Sequence, residues 1–130
     1  MAHYLDTSAL VKLVVAEPET TALREWLADA DRGPVSCDLA RTELMCAVRR
    51  VVPDRALRAR AVLDSLTLTA LTASVCELAG RLDPPGVRSR DAIHLAAALD
   101  LGDDLDSLVT YDERLAEAAR SNGITVTAPA

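Results

Sequence analysis

Short apolar runs alternate with amphipathic helical stretches along the whole of this 130-residue chain. That alternation restricts the fold more than any other feature, because strand–helix–strand repeats are satisfied by a parallel sheet covered by helices on both faces. His3-Tyr4-Leu5 is the first run and stops at Asp6; Ser8 to Val15 then reads as a helix. Glu17-Pro18-Glu19 opens a second helix, with Pro18 in its first turn and acids at the favourable end. It is expected to reach about Ala30, with Leu23, Trp26, Leu27 and Ala30 on one face. Gly33-Pro34-Val35-Ser36 returns the chain to the sheet, and Asp38 is read as the cap of a helix to about Val51. Pro53 opens another, to about Leu66; Thr67-Leu68-Thr69 is a brief strand. Thr72 begins a helix ending near Leu82, followed by the loop Asp83-Pro84-Pro85-Gly86. Ser89 is read as the cap of a helix from Arg90 to Leu101, stopped by Gly102. Leu108-Val109-Thr110 is a strand, Tyr111-Asp112 leads into a helix closed by Asn122-Gly123, and Ile124 to Thr127 is the last strand.

Composition removes several classes of function. Half the residues are apolar, enough for a core, yet no run approaches the roughly 20 apolar residues of a membrane span. The start has no basic segment leading into an apolar one, so a cytoplasmic protein is expected. Cys37, Cys46 and Cys76 are odd in number and widely spaced, which argues against a disulfide framework or a zinc site; they are read as small buried thiols, with Met45 and Cys46 in the core. A net charge of −6 argues against binding nucleic acid by bulk electrostatics, though not against touching phosphates through cations and a few arginines. With only Tyr4, Trp26 and Tyr111 as aromatics, no base-stacking platform is expected.

Four acids stand out. Asp6 directly follows the first strand, and Asp112 sits just past Leu108-Val109-Thr110. Asp91 falls in the first turn of its helix, and Glu43 interrupts an otherwise apolar helical stretch between Leu39-Ala40 and Leu44-Met45. In parallel α/β sheets ligands bind beyond the carboxyl ends of the strands, so fold logic draws these acids to one rim. Carboxylates within about 4–6 Å of one another do not all stay ionised without compensating cations. An all-oxygen cluster suits Mg²⁺ or Mn²⁺. Such an ion acidifies a bound water and neutralises charge on a phosphodiester, and two ions about 4 Å apart clamp both attacking and leaving oxygens. Each acid also has a plainer reading. Asp6 and Asp112 suit helix N-caps and Asp91 complements a helix dipole. Glu43 resists that treatment, since an acid among apolar residues is costly without a partner.

At these positions the sequence resembles a PIN domain of the VapC type, the toxins of bacterial toxin–antitoxin pairs. Tyr4-Leu5-Asp6-Thr7-Ser8-Ala9-Leu10-Val11-Lys12-Leu13, Arg41-Thr42-Glu43-Leu44, Arg90-Asp91-Ala92-Ile93-His94-Leu95-Ala96-Ala97-Ala98 and Val109-Thr110-Tyr111-Asp112-Glu113-Arg114-Leu115 resemble the four family motifs in order. The resemblance implies a three-layer α/β/α PIN-like domain over residues 1–130, built on a central parallel sheet. It implies an endoribonuclease that uses Mg²⁺ or Mn²⁺ and cuts RNA, with tRNA or rRNA the expected class. Asp6, Glu43, Asp91 and Asp112 would be the catalytic, metal-holding acids; Thr110 would orient a water or an oxygen at the metal, and Ser8 would support the site. It also implies a small VapB-type antitoxin as partner, for which the surface around Leu10, Val11 and Val14 is expected to be an open groove, and a homodimer.

Other features point elsewhere or nowhere. His94 is read as a packed, hydrogen-bonded residue, and Asp100, Asp103, Asp104 and Asp106 as a solvated turn whose spacing does not fit an EF-hand. Arg49, Arg50, Arg55, Arg58 and Arg60 read as a solvated face, an RNA-guiding edge or a dimer contact. An aspartyl-phosphate enzyme of the haloacid dehalogenase type would need a second Asp two residues after the first and a later lysine; position 8 is Ser8, and the only lysine, Lys12, lies in the first helix. The alternatives that stay open are a PIN-fold nuclease of RNA processing or DNA cleavage, and a catalytically idle partner-binding module.

Overall fold

The computed structural model describes residues 1–130. Five strands, β1 (Ala2–Leu5), β2 (Gly33–Cys37), β3 (Thr67–Thr69), β4 (Leu105–Val109) and β5 (Val126–Thr127), form one sheet in the order β3-β2-β1-β4-β5. Every pairing is parallel, with Tyr4 beside Val35 on one side and beside Leu108 on the other. Seven α-helices connect and cover them: α1 (Thr7–Val14), α2 (Thr20–Leu27), α3 (Leu39–Val51), α4 (Ala56–Asp64), α5 (Ala73–Ala79), α6 (Ser89–Leu99) and α7 (Glu113–Ser121). The chain first moves outward from β1 through β2 to β3, then returns to the far side of β1 as β4. The strand order thus reverses between β1 and β4, the position where open α/β sheets place their ligands.

Because side chains alternate across a strand, Tyr4 and Leu5 enter different layers. Tyr4, Val35, Cys37 and Leu108 pack with Val75 of α5, Leu95 of α6 and Leu115 of α7. Leu5 and Val109 pack on the other face with Leu10 of α1, Leu23 of α2, Leu44 of α3 and Leu63 of α4. Burial on both faces explains why the strands read as continuous apolar runs rather than alternating ones. The expected α/β architecture with helices on both faces is therefore present.

Several local readings are corrected. Leu10 and Val14 are buried, not part of an open groove, because α3 and α4 cover that face of α1; only Val11 of the three retains partial exposure. Cys46 and Cys76 are exposed and Cys37 alone is buried. Cys46 falls on the outer side of α3, between the inward Leu44 and Val48. α2 ends at Leu27, which leaves Ala30 exposed in a turn. β4 begins earlier than expected and stops at Val109, so Thr110 lies just beyond the strand. Thr72 stands at the start of α5 as expected and caps it by accepting from the Val75 N–H at 3.2 Å, but the helix ends at Ala79, short of Leu82. Asp38 makes no cap: its Oδ1 accepts from Arg41 Nε at 2.9 Å, one turn along. Ser89 lies inside α6, whose cap position is Arg88. Gly102 and Gly123 have φ of 58° and 77°, the left-handed region that a Cβ disfavours; Gly123 follows the end of α7, and Gly102 opens a short 3-10 turn between α6 and β4.

Candidate active site

Asp6, Glu43, Asp91 and Asp112 line one cleft of about 140 Å³, together with Thr7, Ser8, Arg50, Arg90 and His94. The fold brings these acids together from four remote positions. Asp6 follows β1 and Asp112 follows β4, so both stand at the carboxyl edge where the strand order reverses. Glu43 projects from the second turn of α3 and Asp91 from the first turn of α6.

The plain roles and the site geometry coincide. Asp6 caps α1, its Oδ1 accepting from the Ala9 N–H at 3.1 Å and from Ser8 Oγ at 2.7 Å. Its Oδ2 accepts from Thr110 Oγ1 at 2.7 Å. Thr110, itself buried, accepts from the Asp112 N–H at 3.1 Å, so one hydroxyl ties the first acid to the last. Ser8 Oγ in turn accepts from the Tyr111 N–H at 2.9 Å, a second tie across the switch point. Asp112 caps α7 through Oδ1, which accepts from the N–H groups of Arg114 (2.9 Å) and Leu115 (3.3 Å).

Glu43 has the partners its apolar setting demands. Its Oε1 accepts from Thr7 Oγ1 at 2.7 Å and meets His94 Nε2 at 2.6 Å, while Oε2 accepts from Arg90 at 3.3 Å. His94 Nδ1 lies 2.7 Å from the Tyr4 hydroxyl, so both ring nitrogens are engaged. The reading of His94 as a packed, hydrogen-bonded residue holds; its bond is with one of the four acids. Sequence reasoning missed Thr7, Arg90 and Tyr4 as members of this network. The available signals were adjacency, Thr7 beside Asp6 and Arg90 beside Asp91.

Electrostatics separate the acids. Burial pushes the Asp6 carboxyl above its ordinary range, opposed by its bonds to Ser8, Thr110 and the Ala9 N–H. Asp91 is also raised, by burial and by the negative charge of Asp112. Burial works against the Glu43 charge too, but the His94 and Thr7 hydrogen bonds outweigh it and hold the carboxyl below its usual value. For His94, burial disfavours the imidazolium, and the Cys37 thiol and Glu43 carboxylate overcome it, raising the pKa to about 9. Asp91 is the one acid of the four without a hydrogen bond from the protein to its carboxylate. Lys12 is elsewhere, paired with Glu19 at 2.8 Å and Glu17 at 3.6 Å, consistent with no phosphate-steadying lysine at the cleft.

The family model described as PIN domain matches residues 3–121. The sequence is 46% identical over 129 residues to Ribonuclease VapC46 of Mycobacterium tuberculosis, covering 98% of each chain. This chain belongs to the VapC family of PIN-domain ribonucleases. A second VapC relative, Ribonuclease VapC47 of the same species, is 45% identical over 130 residues, covering 97% of this chain and 96% of that protein. Among solved structures, VapC20 of M. tuberculosis, described as a sarcin–ricin loop cleaving toxin, superposes with a TM-score of 0.78 at 17% identity, covering 98% and 99% of the two chains. VapBC2 of Rickettsia felis bound to a promoter DNA fragment gives 0.76 at 16% identity over all of both chains. At such identities these structural neighbours establish the VapC fold. No helix of this VapC is long and apolar enough to cross a membrane.

Proposed function

We propose that this VapC is a Mg²⁺- or Mn²⁺-dependent endoribonuclease that hydrolyses RNA phosphodiesters at the Asp6–Glu43–Asp91–Asp112 cleft. We further propose that it is the toxin of a toxin–antitoxin pair, acting in the cytoplasm on tRNA or rRNA. The observation that carries the reading is the gathering of four sequence-remote acids in one cleft at the reversal of strand order. VapC46 and VapC47, which are ribonucleases by name, and VapC20, described as a toxin cleaving the sarcin–ricin loop, support RNA as the substrate.

The donor set fits a hard divalent cation. Every unengaged donor among the acids is a carboxylate oxygen, the His94 nitrogens are taken, and no thiol lines the cleft. Asp91 is raised by its neighbour Asp112 and has no protein donor, a tension that a cation relieves. As packed, no three of these acids are close enough to hold an ion jointly. Asp91 and Asp112, the two with unengaged oxygens, would hold the cation, while Asp6 and Glu43 are engaged by their hydrogen bonds. The chemistry such a cation would supply is acidification of a water and neutralisation of charge on the phosphodiester. The protein's own part is positional: Thr110 and Ser8 lock the two strand-end acids together, and Thr7 with His94 locks Glu43.

A VapB-type antitoxin is the proposed partner, supported by neighbours that include DNA-bound VapBC of Salmonella typhimurium. A guanidinium from such a partner would pair bidentately with the cleft acids and stand in for the cation's charge. A homodimer is proposed as the working assembly. The test incubates purified protein with total RNA, with Mg²⁺ or Mn²⁺ and with chelator, followed by mapping of new 5′ ends. Discrete cuts that need the metal and vanish in Asp91→Asn are expected. Cleavage that persists in both chelator and Asp91→Asn would overturn the assignment, and absence of any cleavage would favour the idle binding module.

A further inference from the structure

A second cleft adjoins the acidic one, and Asp91 is a wall of both. It has a volume of about 360 Å³ and lies between the start of α6 and the outer side of α7. That volume falls within the roughly 300–1,000 Å³ typical of ligand-sized sites. Arg88 and Arg114 line it, both exposed, and neither forms an ion pair. Arg90, by contrast, is spent on Glu43. In a chain of net charge −6, two uncommitted guanidiniums in a cleft that opens onto four acids are not a neutral solvated face.

Their placement is fixed by the same backbone that places the acids. Arg114 N–H is bonded to Asp112 Oδ1 at 2.9 Å, so the root of the Arg114 side chain moves with that acid. Arg88 occupies the cap position of α6, its carbonyl accepting from the Ala92 N–H at 2.8 Å, one turn from Asp91. The Arg88 charge also acts to lower the Asp91 pKa, though burial and Asp112 prevail. The cleft contains no aromatic residue on which a base could stack, and its acidic members are Asp91, shared with the first cleft, and Glu117, on the same helix as Arg114. What it offers is two forked, phosphate-matched donors with no base-reading surface.

We propose that the Arg88–Arg114 cleft is a phosphate subsite, holding the backbone of the RNA nucleotide next to the scissile phosphodiester without reading its base. The proposal rests on the nuclease reading of the adjoining acids. It supplies what they lack, since a polyanion approaching four carboxylates needs a cationic hold close by. Arg50, which lines the acidic cleft itself, stands as a further cation for the strand there.

The test is the salt dependence of binding. Fluorescence anisotropy with a single-stranded RNA of about a dozen nucleotides is read over a series of KCl concentrations in the Asp6→Asn background. Arg88→Gln/Arg114→Gln is compared with Arg81→Gln/Arg120→Gln, which removes the same charge from exposed positions outside both clefts. Each phosphate contact on a single strand contributes about 0.7 to the slope of log Kd against log salt, so losing two should flatten it by about 1.4. The loss should be equal across RNA sequences, and the control pair should leave the slope unchanged. Equal slopes in the two double variants would overturn the subsite, as would a loss confined to one RNA sequence. Unchanged RNA binding with weakened antitoxin binding would give the cleft to the protein partner and equally overturn it. Cleavage by the parent protein, followed separately, reports on the acids alone; a parent that binds RNA with the Arg88–Arg114 slope but never cuts it refutes the nuclease reading and not the subsite.

Discussion

Asp6 does two jobs that substitution can separate. Its carboxylate caps α1 and accepts from two hydroxyls, and it also stands among the acids of the cleft. Asp6→Ala removes the cap, a loss of about 0.5–2 kcal/mol. It also removes the acceptor of both the Ser8 and the Thr110 hydroxyls, which can then donate only to one another, so that one of the pair loses its partner at about 1–3 kcal/mol. Some of this returns because a desolvated carboxylate with a raised pKa is removed. The expected net destabilisation is about 2–3 kcal/mol. Asp6→Asn should cost less than about 1 kcal/mol, because its carbonyl oxygen still accepts from the Ala9 N–H and Ser8, and Thr110 can turn its proton to Ser8 Oγ at 3.3 Å. Activity should follow the opposite logic. Both variants lose the charge, so both should lose cleavage by more than the roughly 10–100-fold that attends loss of an outer-shell partner of a metal site. Urea denaturation measures the first effect, and initial rates on labelled RNA the second. Equal stabilities for Asn and Ala would refute the cap argument, and parental activity in a folded Asp6→Asn would remove Asp6 from the chemistry.

Millimolar Mn²⁺ should raise the melting temperature, with a gain of about 2.7 kcal/mol at 100 times Kd; Asp91→Asn should shrink it, and a melting curve indifferent to Mn²⁺ counts against the metal. His94 gives a pH dependence of known sign. Its folded pKa of about 9 exceeds the ordinary 6.5, so its contribution is complete below about pH 6.5 and is lost as pH rises through 9. The full difference corresponds to about 3 kcal/mol, readable as a falling urea midpoint between pH 6.5 and 9.5 in chelator; a flat profile, or one unaltered in His94→Gln, contradicts the Glu43 pairing. Asp112→Ser should preserve the cap on α7, since Ser serves there about as well as Asp, and abolish metal-dependent cleavage; retained cleavage would exclude Asp112 from the site. Leu44→Ala, in the fully buried layer beneath α1, should destabilise by about 2–5 kcal/mol without shifting the metal requirement of the remaining activity.

The architecture was legible because strand and helix periods are local properties, and Asp6 and Asp112 were legible because each follows a strand by one or a few residues. Glu43 declared itself as an acid among apolar neighbours, but its partners did not. Thr7 and His94 lie 36 and 51 residues away, and nothing in a local window couples them. Caps were read where residue type allowed them and failed where a competitor stood nearby, as Arg41 does for Asp38. The apolar face of α1 was correctly periodic yet wrongly placed outside. Periodicity identifies a face that must be covered, and whether another chain or α3 and α4 cover it depends on packing across the domain.

The cluster is tolerable partly because of where three helices begin. Asp6 caps α1, Asp112 caps α7, and Asp91 sits in the first turn of α6. Each helix start carries about half a positive charge and stabilises a nearby acid by about 0.3–1 kcal/mol. Capping also decides which oxygens stay available. Both N–H groups at the start of α7 bind Oδ1 of Asp112, which leaves Oδ2 without a protein donor. Asp91 complements its helix by charge alone and leaves both oxygens without one. Asp6 and Glu43 are saturated instead, by Ser8, Thr110, Thr7 and His94. The cleft thus divides into two acids held rigidly by hydrogen bonds and two with open valence that repel each other. The first pair sets the geometry. The second, facing the arginines of the neighbouring cleft through Asp91, is where a cation would be felt most.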